Sequence, residues 1–332
     1  MRTKNLSVTR LDHLNIYQKV KSILKKYKKN NTFVVAVSGG SDSLALVSIV
    51  KNLIQENKYK FFFAIVDHNL RKKSAAEALS VKRLLSKYGI NLTILINKKK
   101  IDKNIQKNAR EIRYNLLEKF CKKKKAKSLI VAHHQDDQVE TFLIRLSRGS
   151  GVEGLSSMNE ITTLKQGTSL IRPLLDFKKK ELISITKHTF NKFFKDPSNK
   201  NKKFLRTNIR VLKQNLENKG INIEKISRSI KNIASTREAI DFYVAKSIKK
   251  FVIFENKKAI LNFVKFQKEP LEIRFRIMNS VIKNISKSYY PPRSIKVLNL
   301  IEGFQRIRIK KCTLGGCIFE KKKNFLHVTK EY

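Results

Sequence analysis

Apolar residues in the first half of the chain follow two rhythms. Short, nearly continuous apolar runs occupy residues 33 to 37 (FVVAV), 61 to 66 (FFFAIV), 92 to 96 (LTILI) and 128 to 132 (SLIVA), which suits strands buried on both faces. Between them apolar residues recur every three or four positions, as at Ile105, Ala109, Ile112, Leu116 and Phe120, or at Leu84, Leu85 and Tyr88 ahead of a terminating Gly89. Strands and helices therefore alternate. This predicts an α/β fold, a parallel sheet wrapped by helices that presents ligands at the carboxyl ends of its strands. Past about residue 220 the rhythm changes to long helical stretches, such as 222 to 251 and 271 to 284, and then to a short β-like tail around Leu314-Gly315-Gly316. The expected division is a first domain over 1–220 and a second, smaller, mostly helical domain over 221–332.

The first apolar run ends in Ser38-Gly39-Gly40-Ser41-Asp42-Ser43, after which helical spacing begins near Ser41. Two glycines let the backbone pass close to a bulky anion, serine hydroxyls add donors, and the helix start aims unpaired N–H groups at the same spot. Asp42 is the odd member, because a carboxylate beside phosphates is repelled unless a divalent cation lies between them. A Mg²⁺-nucleotide removes that conflict. The plainer alternative is a Gly-Ser turn with Asp42 and Ser43 capping a helix, but the whole string placed after a buried strand favours phosphate binding. No G-x-x-x-x-G-K-[ST] string occurs, so this is not a Walker loop.

Further ionisable groups cluster where other strands end. Asp67 to Arg71 follows the second run, with His68 as a candidate nucleotide contact, although a lone histidine after a strand is more often structural. His133-His134-Gln135-Asp136-Asp137-Gln138-Val139-Glu140-Thr141 follows the fourth. There Asp137 and Glu140 fit helix capping ahead of Phe142, Leu143 and Leu146 as well as they fit catalysis. Adjacent histidines without an H-E-x-x-H spacing argue against zinc. Gly149 to Gly154 matches G-x-G-x-x-G but follows a helix, so it reads as a connector or substrate-facing loop and not a dinucleotide fingerprint. Downstream, Asp196-Pro197-Ser198-Asn199 precedes Arg206 and Arg210, four apart on one predicted helix face. Paired guanidinium groups suit a phosphate or a departing AMP, and a basic helix face is the alternative.

Composition narrows the partners. The 332 residues carry 73 Lys and Arg against 26 Asp and Glu, a formal charge of +47, so polyanions are attracted in a salt-dependent way and nucleic acid is the natural partner. Lys, Asn and Ile are abundant throughout, so part of the excess is general composition, yet the shortage of acids leaves the field in place. Three cysteines, Cys121, Cys312 and Cys317, form no C-x-x-C and are expected to be reduced. No apolar run approaches the ~20 residues that span a bilayer, and the first residues lack a signal-peptide core, so the expected location is cytoplasmic, without membrane contact.

Taken in order, Ser38 to Ser43, Asp67 to Arg71, Ala109 to Tyr114 with Arg113, His133 to Thr141, Arg148 to Leu155, Arg172 to Leu175, and Asp196 to Arg210 resemble the bacterial tRNA(Ile)-lysidine synthetases of the PP-loop ATP pyrophosphatase superfamily. The PP-loop is shared across the superfamily; the HHxDDQxET block, the RGSGxxGL loop and the late DPSN-plus-arginine block are narrower. Thr207 stands where that family often has Asn, and the C-terminal part, over 221–332, which the resemblance implies to be tRNA-binding, resembles it only through Thr313 to Cys317. The resemblance implies a PP-loop, adenine-nucleotide-α-hydrolase-like fold. It also implies a two-step ligation in which ATP adenylates the wobble cytidine of a tRNA(Ile) bearing a CAU anticodon, and free L-lysine then displaces AMP to give lysidine. On this basis Ser38, Gly39, Gly40, Ser41, Asp42 and Ser43 would hold pyrophosphate, and Asp42 and Asp137 would hold Mg²⁺. Arg206 and Arg210 would stabilise phosphoryl charge, and His68, Arg113 and His133 would contact the nucleotide. The rival is a PP-loop tRNA thiolase with the same adenylation step. Oligomeric state is open, a homodimer being among the options.

Overall fold

The computed structural model describes residues 11–27, 31–56, 59–71, 73–99, 101, 105–194, 205–287, 292–306 and 310–331; Asp196 to Asn199 lie outside these. The chain divides into two compact units, Met1–Lys231 and Asn232–Tyr332.

The first unit grows outward from β1 (Thr32–Val37), whose side chains alternate between two helical layers. Phe33, Val35 and Val37 enter one buried cluster with α1 (Leu11–Lys25), α2 (Ser41–Ile54), α3 (Ser74–Ser86) and α7 (Lys179–Phe190). Val34 and Ala36 enter the other, beside Leu117, Phe120 and Cys121 of α4 (Ile105–Lys123). Burial on both faces explains why the run carries no polar alternation. β1 pairs in parallel with β2 (Lys60–Asp67) and with β4 (Ser128–Ile130), β2 pairs with β3 (Leu92–Ile96), and β4 with β6 (Ser169–Ile171). An antiparallel edge strand, β5 (Ile161–Thr163), completes the order β3-β2-β1-β4-β6-β5. The expected parallel sheet wrapped by helices is present, with β5 antiparallel at its edge. β5 and β6 have only three residues each, too short for a readable apolar run.

Because the chain leaves β1 toward β2 and β3 and returns on the other side as β4, the sheet switches direction between β1 and β4. In open α/β sheets the crevice at that switch point, beyond the carboxyl ends, is where ligands bind. The loops at its mouth are Ser38–Gly40, leading into α2, and Val131–His134, leading into α5 (Gln135–Leu146). The short α6 (Val152–Leu155) and α8 (Leu205–Asn218) follow in the same unit, and the start of α9 (Ile223–Phe251) packs Ile223 and Ile230 on Val139 of α5.

The second unit is a five-stranded antiparallel sheet, β7 (Val252–Glu255), β8 (Lys258–Asn262), β11 (Phe325–Lys330), β10 (Cys317–Lys322) and β9 (Lys311–Leu314) in that spatial order. Ala259, Leu261, Phe319, Leu326 and Val328 form one face, buried with Ile277, Met278 and Val281 of α11 (Leu271–Ser286) and Ile301 and Phe304 of α12 (Ser294–Gln305). α10 (Phe263–Gln267) links β8 to α11, capped by the Asn262 side chain accepting from Lys265 N–H. The expected β tail is β9 to β11. The β7–β8 hairpin escaped the pattern because its Asn256-Lys257 turn has no glycine; Lys257 itself takes φ 62°.

Candidate active site

The glycine pair in the loop after β1 is divided by function. Gly39 has φ +81°, and a Cβ there would lie 2.5 Å from Val81 Cγ2, so packing and backbone both demand glycine. Gly40 is the N-cap of α2 with φ −72°, and a Cβ there would meet only Ser38 Oγ at 3.6 Å. The open space over Gly40, at a helix N-terminus, is a cradle for an anion. The serines shape that cradle. Ser43 Oγ accepts from Ser38 N–H and donates to Gly40 C=O at 3.0 Å, Ser38 Oγ donates to it at 3.1 Å, and Ser41 Oγ donates to Asp42 Oδ1 at 2.9 Å. Thr186 of α7 donates to Ser41 C=O at 2.6 Å and ties the loop to the core.

Asp42 and Asp137 meet across the crevice at His134. The buried His134 Nε2 lies 3.5 Å from Asp42 Oδ2 and 3.6 Å from Asp137 Oδ2, and its Nδ1 is 3.6 Å from Asp136 Oδ2. Burial alone would lower the His134 pKa; the neighbouring carboxylates of Asp136, Asp42 and Asp137 outweigh it and raise it to about 10. The same contacts, with Lys213 on Asp136, outweigh burial and hold both Asp42 and Asp136 below the usual carboxylate range. Two carboxylates, Asp42 and Asp137, therefore converge beside the cradle, each within 3.6 Å of His134 Nε2. That donor set suits Mg²⁺, which takes one or two protein carboxylates and completes its shell with phosphate oxygens and water. Among the described residues no group of three or more His, Cys, Asp or Glu forms a complete metal cage.

Asp137 also serves as a helix cap, since its Oδ2 accepts from the N–H of His134, the N-cap of α5, at 3.1 Å. Its Oδ1 accepts from Arg206 Nη2 at 2.7 Å. Glu140, buried on α5, accepts from Nε of Arg206 at 2.6 Å and Nε of Arg210 at 2.7 Å, so the two arginines do share one face of α8. Capping and site chemistry, alternatives in the sequence, coexist in Asp137.

A second group lies along α4 and the end of β4. The guanidinium carbons of Arg110 and Arg113 sit 5.0 and 5.2 Å from the Tyr114 ring centre. Burial, and then the charges of Arg172, Arg113, Arg110 and Arg206, hold His133 well below the usual imidazole range, so it is neutral at pH 7. His133 Nδ1 and the Tyr114 hydroxyl are buried without a protein partner. A neutral ring among four cations favours an anionic or polar ligand group. His68 follows the end of β2, where its C=O accepts from Asn97 Nδ2 at 3.1 Å.

A family of PP-loop domains matches residues 13–216. A tRNA(Ile)-lysidine synthase from Wolbachia pipientis wMel is 37% identical over 300 residues, spanning 88% of this chain and 69% of that protein. The chain belongs to the tRNA(Ile)-lysidine synthase family. The lysidine synthase of Ruegeria pomeroyi is 32% identical over 285 residues, with 86% of this chain and 67% of that protein covered. That of Orientia tsutsugamushi is 30% identical over 319 residues, 92% of this chain and 71% of that protein. A U34-tRNA thiolase from Methanococcus maripaludis, solved with its 4Fe-4S cluster, shares the fold at a TM-score of 0.56 and 19% identity over 68% of this chain and 80% of that one. The chain is thus an ATP-using PP-loop enzyme of a tRNA-modifying lysidine synthase family.

The sequence singled out neither His134 nor Tyr114, and it left Glu140 between helix capping and catalysis. His134 was passed over for His133. The signal was its position directly before α5, where an N-cap residue turns toward the strand-end crevice. Among the described residues no helix is long and apolar enough to cross a membrane.

Proposed function

We propose that this enzyme ligates free L-lysine to C2 of the wobble cytidine in a tRNA(Ile) with a CAU anticodon, through an adenylated cytidine, releasing pyrophosphate and AMP. The observation that carries the reading is the meeting of Asp42 and Asp137 at one point beside the Gly40 cradle, in a chain of this family. Gly39, Gly40 and the α2 N-terminus would hold the β and γ phosphates of ATP, with Ser38, Ser41 and Ser43 fixing the loop. Asp42 and Asp137 would hold Mg²⁺, which supplies charge neutralisation and Lewis acidity at the phosphates.

In the first step the cytidine O2 forms a bond to the α phosphorus as the bond to the bridging oxygen of pyrophosphate breaks. In the second the lysine ε-amine adds at C2 and AMP leaves with the former O2, the amine giving up a proton. Arg206 and Arg210 would stabilise the charge that gathers on the phosphoryl group and then on AMP. Glu140 holds both guanidinium groups through their Nε atoms. His133 and Arg113 would contact the nucleotide, a role supported by the buried, unpartnered Nδ1 of His133. His68 would be a further nucleotide contact.

A thiolase would use the same adenylation. Here the three cysteines are dispersed, Cys121 buried on α4 and Cys312 and Cys317 on β9 and β10 of the second unit, which favours an amine nucleophile over sulfur chemistry at this edge. The deciding experiment incubates the full chain with ATP, Mg²⁺ and labelled lysine, using tRNA(Ile) and tRNA(Met) transcripts that share the CAU anticodon. Incorporation into the isoleucine tRNA alone is the expected result; no incorporation by folded, ATP-binding protein would overturn the reading.

A further inference from the structure

Side chains at the ends of β4 and β6 alternate between the two faces of the first unit's sheet. Leu129 and Val131 enter the cluster beside α4, whereas Ile130 and Ala132 enter the one beside α2. His133 and His134 continue that alternation. His134 turns to Asp42 and the Gly40 cradle, and His133 turns to the α4 side, where the charges of Arg172, Arg113 and Arg110 reach it. β6 repeats the pattern, with Leu170 on the α4 side, Ile171 on the α2 side, and then Arg172, 6% exposed, beside His133. α4 leads into β4 through a short turn, so its first half, with Arg110, Arg113 and Tyr114, lies toward the carboxyl ends of the strands.

The recess formed this way gathers positive charge. Arg172 Nη1 donates to Asn159 C=O at 2.8 Å and to Thr162 Oγ1 at 2.9 Å, so neutral oxygens hold its guanidinium in place. Burial, and then the charges of Arg110 and Arg206, lower the pKa of Arg113, opposed by the Tyr114 side chain. His133 Nδ1 is buried without a protein partner. Like charges brought together out of water cost free energy that a bound anion offsets. A phosphate suits them better than the carboxylate of free lysine. Its oxygens engage several guanidinium forks, whereas the α-ammonium of the amino acid would meet the same cations.

We propose that Arg110, Arg172 and His133, together with Arg113, form a second phosphate site on the α4 face, separate from the Gly40 cradle, that takes a phosphate ester. Two such esters take part in the proposed reaction, that of AMP and that of the RNA backbone beside the wobble cytidine; this choice of occupant rests on the lysidine reading. The full chain is titrated with AMP by calorimetry and with a fluorescein-labelled tRNA(Ile) transcript by anisotropy, both without lysine. Arg110→Gln, on an exposed position of α4, and Arg172→Gln, checked by circular dichroism, are compared with the parent. Each should weaken at least one of these ligands about ten-fold, the worth of one charge-assisted hydrogen bond, and leave binding of Mg²⁺-pyrophosphate, the cradle's ligand, unchanged. A loss confined to AMP assigns the site to the leaving nucleotide. A loss confined to the transcript, with the slope of log affinity against log salt reduced by about one, assigns it to the RNA backbone. Unchanged affinity for both ligands would overturn the proposal, as would an equal loss for pyrophosphate, which would make the two arginines structural. The expected losses in a protein that incorporates no lysine would count against the lysidine reading and leave the second phosphate site standing.

Discussion

Arg206 Nη2 donates to Asp137 Oδ1 at 2.7 Å, across 69 residues of sequence. The bond ties α8 to the N-terminus of α5, and it gives Asp137 a cationic partner on the side away from Asp42. Arg206→Lys keeps the charge but loses the fork that engages Asp137 and Glu140 together. We expect kcat to fall by roughly 10²–10³-fold, the usual cost of removing one aimed donor, with unfolding midpoints changed little. An equal fall in Tm and activity would instead make Arg206 a structural brace.

Glu140 is more deeply placed than either arginine it binds, its side chain 5% exposed against 36% for each partner. Glu140→Ala leaves two guanidinium groups side by side without their carboxylate. Urea unfolding should show a loss of roughly 3 kcal/mol, the low end for breaking a buried ion pair because the arginines reach solvent. A loss under 1 kcal/mol would mean that the arginines find other partners.

The two loop glycines separate stability from binding. Gly39→Ala forces a left-handed backbone on alanine and a clash with Val81, so Tm should drop by several degrees. Gly40→Ala meets no clash and weakens only the α2 N-cap, so Tm should fall less than in Gly39→Ala while the KM for ATP rises. The reverse pattern would remove Gly40 from the phosphate site.

The legible parts of this chain were those where one physical demand acts alone. Burial on both faces made Phe33 to Val37 and Phe61 to Val66 plain as strands, and the strand-to-loop change at Ser38 located the cradle. The residues that were hard to read serve two demands at once. Asp137 is both cap and site carboxylate, so capping statistics could not decide between them. Glu140 looked like part of a capping turn because its arginine partners lie 66 and 70 residues away, a separation that no local pattern reports. The β7–β8 hairpin was hidden for a related reason, its turn being made by Asn256 and Lys257 where glycine would have marked it.

Cys121 gives a pH test of the first unit's core. Burial, and then the nearby Glu118 charge, push its thiol up to about 12. Because the folded pKa lies above the unfolded value near 9, the thiol's contribution is fully present below about pH 9 and is lost as pH rises toward 12. Urea midpoints measured at pH 7 and pH 10.5 should fall less in Cys121→Ala than in the parent chain. Equal falls in both would place the alkaline sensitivity elsewhere.

Salt tests the electrostatic part of tRNA capture. With 73 Lys and Arg against 26 Asp and Glu, phosphate contacts should dominate affinity, each releasing a condensed counterion when it forms. If six to ten phosphates are neutralised, the affinity for tRNA should fall by about 10³–10⁵-fold between 50 and 200 mM salt. Each Lys or Arg that touches a phosphate should, when replaced by Ala, lower the slope of log affinity against log salt by about one. A slope near zero in the parent chain would show that the basic charge is a feature of composition and not of recognition, leaving stacking and hydrogen bonds to hold the RNA.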